Sequence, residues 1–221
     1  KGREAAISGV CTSDAKPILP QRIMAEINEV LNAEDIVVAD ASYSSAWVTG
    51  FLTARENGQR FLTPRGLAGL GWGLPYAIGA KLARPNANVI GIVGDGGFAH
   101  VWAEVEMAVR EDISITLIVL NNAQLAMQRH GENMGFDRST TGIRFAPVDH
   151  AAVAKAVGAE GTTVRNPDEI GKALSAALAS GKVTVIDILT DADAFAPLRL
   201  FDGREDVISR PPAEKRIRRK K

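Results

Sequence analysis

Short apolar runs alternate along this chain with segments of helical spacing. Six runs have the length and composition of β-strands: IVVAD (36–40), RFLTP (60–64), NVIGIV (88–93), ITLIVL (115–120), GTTVR (161–165) and VTVIDIL (183–189). Between most of them, apolar residues recur at i, i+3 and i+4, which predicts helices such as 20–32 and 97–110. Strands that alternate with helices are typical of a parallel sheet covered on both faces. We therefore expect an α/β fold with a doubly wound, mostly parallel six-stranded sheet and helices on both faces.

The two ends of the chain lack this alternation. Residues 1–19 have no sustained period and end in KPILP, which predicts a linker from a preceding domain. Because the first residue is not Met, we expect the chain to be a fragment. The last twelve residues hold seven Lys or Arg against one Glu, so the rest of a chain with zero formal net charge carries about −6. We divide the chain into the linker, one domain at 20–200 and a basic tail at 201–221.

Composition narrows the class of protein. The chain has 221 residues, of which 46% are hydrophobic, which is enough for one sizeable core. Its single cysteine, Cys11, excludes internal disulfides and any multi-cysteine metal site. No segment has the pattern of a signal peptide or a membrane span. We expect a cytoplasmic protein whose basic tail is solvated, with no nucleic-acid or membrane partner.

Two of the predicted strands end in residues that strands disfavour. GDGGF (94–98) follows the third run, and Asn121 and Asn122 end the fourth. Ligands of doubly wound sheets bind beyond the carboxyl ends of the strands, so both motifs belong to one edge. Glycines beside Asp95, at the start of a helix, suit a phosphate. A carboxylate can approach phosphates when a divalent cation lies between them, and oxygen ligands from Asp95 and Asn122 suit Mg²⁺.

Each motif alone is typical of an ordinary turn, but the pair at its spacing is specific. GDG followed after 24 residues by NN resembles the thiamine diphosphate motif of the acetolactate synthase and 2-oxoacid decarboxylase superfamily. GLAGLGWGLPYAIGAKLA (66–83) extends the resemblance, which runs from about Pro17 to Asp202 and matches the C-terminal diphosphate-binding (PP) domain. The resemblance implies the thiamine diphosphate-binding fold, with thiamine diphosphate and Mg²⁺ as cofactors.

The resemblance also implies roles for individual residues. Asp95 and Asn122 would ligate Mg²⁺ through their side chains and Gln124 through its carbonyl. Backbone N–H groups of Gly96, Gly97 and the residues after Asn122 would contact the diphosphate. The full set implied in cofactor binding is Ser42, Tyr43, Ser44, Ala68, Gly69, Leu70, Gly94, Asp95, Gly96, Gly97, Asn122, Gln124, Leu125 and Ala126.

Some of these roles have a structural alternative. In ASYSS (41–45), the loop after the first strand, Ser42, Tyr43 and Ser44 would reach the diphosphate, or a serine would cap the next helix. The carbonyl of Ala68 would accept a hydrogen bond from the aminopyrimidine. Leu70, where acetolactate synthases usually have Met, would support the bent cofactor or belong to the core.

The segment after NN departs from the biosynthetic acetolactate synthases. Those enzymes have a Trp a few residues after a Met, whereas this chain has Gly131 after Met127. The segment 127–145 contains glycines and no long apolar face, which predicts a mobile lid. Within it, Arg129 and His130 are candidates for binding a substrate carboxylate, or are exposed residues without a role. We expect His100, at the start of a helix, and His150, just before one, to have structural roles.

Enzymes of this superfamily also use a glutamate from a separate pyrimidine-binding domain, and we find no such domain in the chain. The resemblance therefore implies half of an active site, without a catalytic residue of its own and inactive alone. Its partner would be the pyrimidine-binding domain of the same enzyme, in a homodimer or homotetramer acting on a small 2-oxoacid as a lyase or transferase.

Two other classes of protein share the expected fold. One is a nicotinamide-dinucleotide-binding domain, whose glycine fingerprint is missing from the first turn, DASYSS (40–45). The other is a non-catalytic α/β interaction module. Such a module has no reason to keep Asp95 and Asn122 in register, so affinity for the cofactor distinguishes it from the enzyme domain.

Overall fold

The computed structural model describes the backbone of residues 2–197 and the side chains of residues 7–197. Its helices are α1 (Gly2–Cys11), α2 (Pro20–Val30), α3 (Tyr43–Phe51), α4 (Gly73–Ala83), α5 (Asp95–Ala99), α6 (Ala103–Arg110), α7 (Ala126–Phe136), α8 (His150–Ala156) and α9 (Ile170–Ala179). Its strands are β1 (Ile36–Ala39), β2 (Phe61–Leu62), β3 (Val89–Gly94), β4 (Thr116–Asn121), β5 (Glu160–Val164) and β6 (Thr184–Leu189). Short 3-10 turns occupy Thr141–Ile143 and Pro167–Glu169.

All six strands pair in parallel, in the order β2-β1-β3-β4-β6-β5. The chain builds the sheet outward in both directions from the β1–β3 pair, so the strand order reverses there and leaves a crevice at the carboxyl edge. Register brings the two motifs together at this edge, since Gly94 pairs with Leu120, so that Asp95 directly follows β3 and Asn121 ends β4 at the same level of the sheet. The predicted doubly wound sheet is confirmed, and within the described residues it is entirely parallel.

The sheet separates two apolar layers, because successive strand residues point to opposite faces. Val37, Ile92 and Ile118 pack with α2, α3 and α9 on one face. Val38 and Val119 pack with α4, α5, α6 and α8 on the other. Burial on both faces explains why the central strands are continuously apolar in sequence.

The helix predicted over 97–110 is wrong as a single element. Two helices, α5 and α6, replace it, and His100–Trp102 form the break. In that break the N–H groups of His100 and Val101 donate to carbonyls three residues earlier, which tightens the turn. The apolar spacing continues across the break, so periodicity alone could not reveal it.

Other element predictions also need correction. The expected linker contains α1, whose Ile7 and Cys11 pack against the core. The predicted strand at 60–64 is reduced to the two residues of β2. The segment 127–145, predicted as a mobile lid without a long apolar face, contains most of the helix α7. The boundary at residue 200 and the tail at 201–221 lie outside the described residues. Among those that are described, no helix has both the length and the apolar character to span a membrane.

Candidate functional site

An open cleft lies at the carboxyl ends of β1, β3, β4 and β6. It encloses about 540 Å³ of empty space, part of which is continuous with solvent. Its lining residues are Pro20, Ala41, Ser42, Tyr43, Ser44, Trp47, Leu70, Gly94, Asp95, Gly96, Gly97, Leu120, Asn122, Gln124, Leu125, Ala126, Met127, Thr190, Asp191 and Ala194. Both strand-end motifs identified in the sequence therefore face one shared space.

Asp95 is the first residue of α5 and is almost completely buried. Its Oδ1 accepts the Gly96 N–H at 2.8 Å, and its Oδ2 accepts the Asn122 N–H at 3.2 Å. Burial raises the pKa of this carboxyl to about 6, although the surrounding backbone N–H groups act in the opposite direction. The carboxylate thus stands in a dry environment, held between the ends of β3 and β4, where a cation would compensate its charge.

Asn122 has a side-chain oxygen that lacks a partner among the described residues, and the residue lines the same cleft as Asp95. Its side-chain Oδ1 is buried and has no hydrogen-bond partner within the described part of the chain. A buried polar atom without a partner is costly, so such an atom beside a carboxylate in a cleft suits a bound cation. No group of three or more His, Cys, Asp or Glu side chains comes together among the described residues. Two side-chain oxygens with a backbone carbonyl fit Mg²⁺, which keeps its remaining positions for phosphate and water.

The glycines of the motif leave room where a side chain would fill the site. A Cβ atom on Gly96 would lie 2.7 Å from the Leu125 side chain and 3.1 Å from that of Phe145. A Cβ atom on Gly97 would collide with a carboxylate oxygen of Asp40. The backbone of α5 can therefore approach the cleft only without side chains at these two positions.

Gln124 holds the loop after β4 against the loop after β6. Its Nε2 donates to the Ala192 carbonyl at 2.7 Å, and its Oε1 accepts from Arg129 at 2.8 Å. The same guanidinium pairs with Asp193. Because these partners occupy the side chain of Gln124, its backbone carbonyl is the group available for a metal. At present that carbonyl accepts the Ala126 N–H at 3.1 Å.

Three loops around the site contain non-glycine residues in the left-handed region of backbone conformation. Ser42 has φ 66°, Ala68 has φ 55° and Ala123 has φ 55°. Residues in this region are strained, by about 1–3 kcal/mol each, and they cluster at functional sites. Ser42 occupies the cap position of α3 but makes no side-chain cap hydrogen bond there. The capping alternative for Ser42 therefore lacks its defining contact.

Asp40 is an important residue that the sequence reasoning missed. It follows β1 and is completely buried, and its carboxylate accepts four backbone N–H groups. These donors are Ala41 at 2.9 Å, Gly71 at 2.9 Å, Trp72 at 3.1 Å and Gly73 at 3.2 Å. The carboxylate fixes the glycine-rich segment beside the cleft. The available signal was an acidic residue at the end of a strand, the same feature that identified Asp95.

Thr190 and Asp191 were also missed, although β6 ends at the same edge in the polar run TDAD (190–193). Two predicted site residues do not reach the cleft: Ala68 is exposed, and Gly69 does not line it. Several N–H groups predicted to contact a diphosphate already have partners within the chain. Gly96 donates to Asp95, and Leu125 donates to the Ile143 carbonyl at 2.8 Å.

The histidines also differ from expectation. His130 is buried, with its Nδ1 2.8 Å from the Tyr43 hydroxyl, and is not an exposed lid residue. Arg129 is engaged with Gln124 and Asp193. His100 lies at the end of α5 and is exposed, whereas His150 begins α8 and is buried. The backbone N–H of His150 donates to Asp187 at 3.0 Å, and its ring Nδ1 is buried without a hydrogen-bond partner in the described part of the chain.

Comparison with known proteins agrees with this geometry. Residues 40–188 match the family model described as "Thiamine pyrophosphate enzyme, C-terminal TPP binding domain". The chain is 32% identical to the "Probable acetolactate synthase large subunit" of Methanocaldococcus jannaschii over 90% of this chain and 34% of that protein. It is 28% identical to the "Sulfoacetaldehyde acetyltransferase" of Alcaligenes xylosoxydans over 87% of this chain and 32% of that protein.

A solved structure agrees as well. The thiamine diphosphate-dependent 4-hydroxybenzoylformate decarboxylase of Rhodococcus jostii RHA1 superposes with a TM-score of 0.75 at 27% identity, over 81% of this chain and 34% of that one. The chain thus spans about a third of the length of these proteins. The match decides against a nicotinamide-binding domain. The chain belongs to the C-terminal thiamine pyrophosphate-binding domain family of thiamine pyrophosphate enzymes.

Proposed function

We propose that this chain binds thiamine diphosphate through Mg²⁺ and forms the diphosphate half of the active site of an enzyme that acts on a small 2-oxoacid. The enzyme would be a lyase or transferase similar to acetolactate synthase, in a cytoplasmic setting. The observation that carries the proposal is the buried, unpartnered Oδ1 of Asn122 in the same cleft as the Asp95 carboxylate. A diphosphate-bound Mg²⁺ would satisfy both groups.

The residues of the cleft divide into two kinds. Asp95, Asn122 and the carbonyl of Gln124 would hold the metal and so compensate the diphosphate charge. Leu70 and Met127 line the same cleft with apolar surface, which excludes water and strengthens electrostatic interactions inside. Bound thiamine diphosphate would supply the electron sink needed to remove CO₂ from a 2-oxoacid.

A second domain would complete the site. Within the described residues, Asp95 and Asp191 are the carboxylates that line the cleft, and no glutamate does. The glutamate of a pyrimidine-binding domain would then come from outside, in a homodimer or homotetramer. Leu67, Trp72 and Tyr76 are exposed apolar residues in and beside the glycine-rich segment and offer a surface for that domain.

Calorimetric titration of the chain with thiamine diphosphate, with and without Mg²⁺, tests the proposal. We expect binding that requires the metal, because Asp95 would repel an uncompensated diphosphate. Inorganic pyrophosphate with Mg²⁺ should compete, since the chain's contacts are to that part of the cofactor. Equal affinity with Mg²⁺ and with a chelator would contradict the metal site, and no affinity in either case would favour the non-catalytic module.

The half-site part of the proposal has its own test. Decarboxylation of pyruvate and benzoylformate is measured with the chain saturated in cofactor and Mg²⁺. We expect no turnover, because loss of a positioned general acid or base costs a factor of roughly 10²–10⁴. Turnover at an ordinary enzymatic rate, about 1–10³ s⁻¹, would show that the site is complete within these residues.

A further inference from the structure

A buried polar contact joins two helices at the wall of the cleft. The hydroxyl of Tyr43, at the start of α3, lies 2.8 Å from Nδ1 of His130 on α7. The two residues are 7% and 8% exposed, so water scarcely competes for this hydrogen bond. The contact spans 87 positions of sequence and ties the segment after β1 to the segment after β4.

Aromatic packing fixes the geometry of this pair. The His130 ring stacks on Phe195 with centroids 5.1 Å apart and planes 21° apart. The Tyr43 ring meets the same Phe195 edge-on at 6.0 Å. Phe195 belongs to the segment after β6, so one cluster holds three of the loops that surround the cleft.

The pair lies on the two helices that follow two strained turns. Ser42, which precedes Tyr43, has φ 66°, and Ala123, in the turn before α7, has φ 55°. Strained backbone persists only where its surroundings hold it in place. The Tyr43–His130 contact joins the two helices that follow these turns.

We propose that Tyr43 and His130 are positioning residues that keep the turns after β1 and β4 in their ligand-binding shape. This inference rests on the proposed function, because its purpose is to prepare the site of Asp95 and Asn122 before a ligand arrives. Tyr43 then acts mainly through His130, in addition to the direct diphosphate contact expected from the sequence. His130 acts through α7 rather than on a substrate carboxylate.

The effect on binding follows from the fraction of free chains that have the ligand-binding shape. Without the hydrogen bond, the strained turns of the free chain relax, and only the fraction that retains the original shape can bind. If that fraction falls to about a tenth, the apparent Kd for thiamine diphosphate rises about tenfold. Tyr43→Phe removes only the hydroxyl, and His130→Phe keeps an aromatic ring against Phe195, so both variants retain the packing.

The experiment measures the Kd for thiamine diphosphate at saturating Mg²⁺ by calorimetry, together with amide hydrogen exchange of the ligand-free chain. We expect each single variant to weaken binding about tenfold. The double variant should weaken it no further, because the two substitutions remove the same hydrogen bond. Exchange should accelerate at residues 41–46 and 122–126 while the central strands stay protected. His130→Asn, which can place a polar atom near the position of Nδ1, should recover part of the affinity.

Thr49→Val is the matched control, since it removes a hydroxyl on the same helix α3 that donates to the Ser45 and Ala46 carbonyls and does not line the cleft. It should bind like the wild type. If the wild-type chain binds and the pair variants bind equally well, the inference is wrong and the proposed function stands. If the wild-type chain does not bind, the proposed function is wrong. In that case, hydrogen exchange that is unchanged in the two turns of the pair variants would overturn the inference independently.

Discussion

Two buried aspartates follow neighbouring strands at the same edge of the sheet, but their surroundings differ. Asp40, after β1, accepts four backbone N–H groups and does not line the cleft. Asp95, after β3, also accepts backbone N–H groups, yet it lines the cleft beside an Asn122 oxygen that has no partner. Burial raises the pKa of Asp95 to about 6.

The difference separates a carboxylate that holds the fold from one that we propose as a metal ligand. The donors of Asp40 come mostly from Gly71–Gly73, so its carboxylate holds a segment that is distant in sequence. The donors of Asp95 come from its own turn and the next strand end, and its buried side chain lines the cleft. Residue type and strand position are the same for both, so only the partners reveal the two roles.

Removing Asp40 should produce the largest change in stability. In Asp40→Ala, buried N–H groups of the glycine-rich segment lose their acceptor, at about 1–3 kcal/mol for each that stays unsatisfied. We expect the free energy of unfolding to fall by about 3–5 kcal/mol, measured by urea denaturation. Asp95→Ala is the matched comparison and should cost at least about 2 kcal/mol less, because burial already disfavours its charge. Equal losses would remove the distinction between the two residues.

Removing Asp95 should instead affect binding. We expect Asp95→Ala to weaken Mg²⁺-dependent binding of thiamine diphosphate at least about 100-fold, since even residues that only support metal ligands cost 10–100-fold. Titration calorimetry at fixed Mg²⁺ measures the change. Asp168→Ala, which removes a highly exposed carboxylate, serves as the control and should bind normally. Retention of metal-dependent affinity in Asp95→Ala would contradict the proposed ligand.

The sequence predicted the sheet well because its signals are local. All six predicted strands exist, although β2 is shorter, and both strand-end motifs meet in the cleft. The error at α7 has a different origin. Its polar sequence lacks an apolar face, but His130 is buried and contacts Tyr43, and the half-buried Arg129 pairs with Asp193. Contacts over long sequence separations leave no periodic signal, and the role of Asp40 was missed for the same reason.

A methyl group added at Gly97, in the helix that Asp95 begins, should disturb the carboxylate of Asp40. The Cβ of Gly97→Ala would collide with Oδ2 of Asp40, the oxygen that accepts the Gly71 N–H. Overpacking of this kind costs about 1–3 kcal/mol, and we expect that loss in the free energy of unfolding. Gly79→Ala is the control, because its Cβ would meet nothing within 4 Å and alanine favours the interior of α4, by about 0.5–1 kcal/mol. A Gly97→Ala protein as stable as the wild type would show that Asp40 is free to move.

A third buried aspartate extends the comparison, because it makes the stability of the chain depend on pH. Asp187, on β6, accepts from Asn121 Nδ2 at 2.9 Å and from the His150 N–H at 3.0 Å. Burial raises its pKa above the ordinary value of 3.8, against these hydrogen bonds. Above pH 3.8 the folded chain therefore keeps a proton on Asp187 that the unfolded chain loses. The contribution of Asp187 to the free energy of unfolding is complete below pH 3.8 and is lost as the pH rises through the folded pKa.

The expected loss is about 1.4 kcal/mol for each unit by which the pKa is raised. Denaturation of the wild type and Asp187→Asn between pH 3.5 and 7 measures it, because asparagine does not titrate. Asp95 and His150 also titrate with shifted pKa values, in opposite directions with respect to stability, but they are common to both proteins. Their contributions cancel in the difference as long as the substitution leaves them unchanged. We expect the stability of the wild type to decline relative to the variant as the pH rises; a constant difference would show that the two hydrogen bonds fully offset the burial of Asp187.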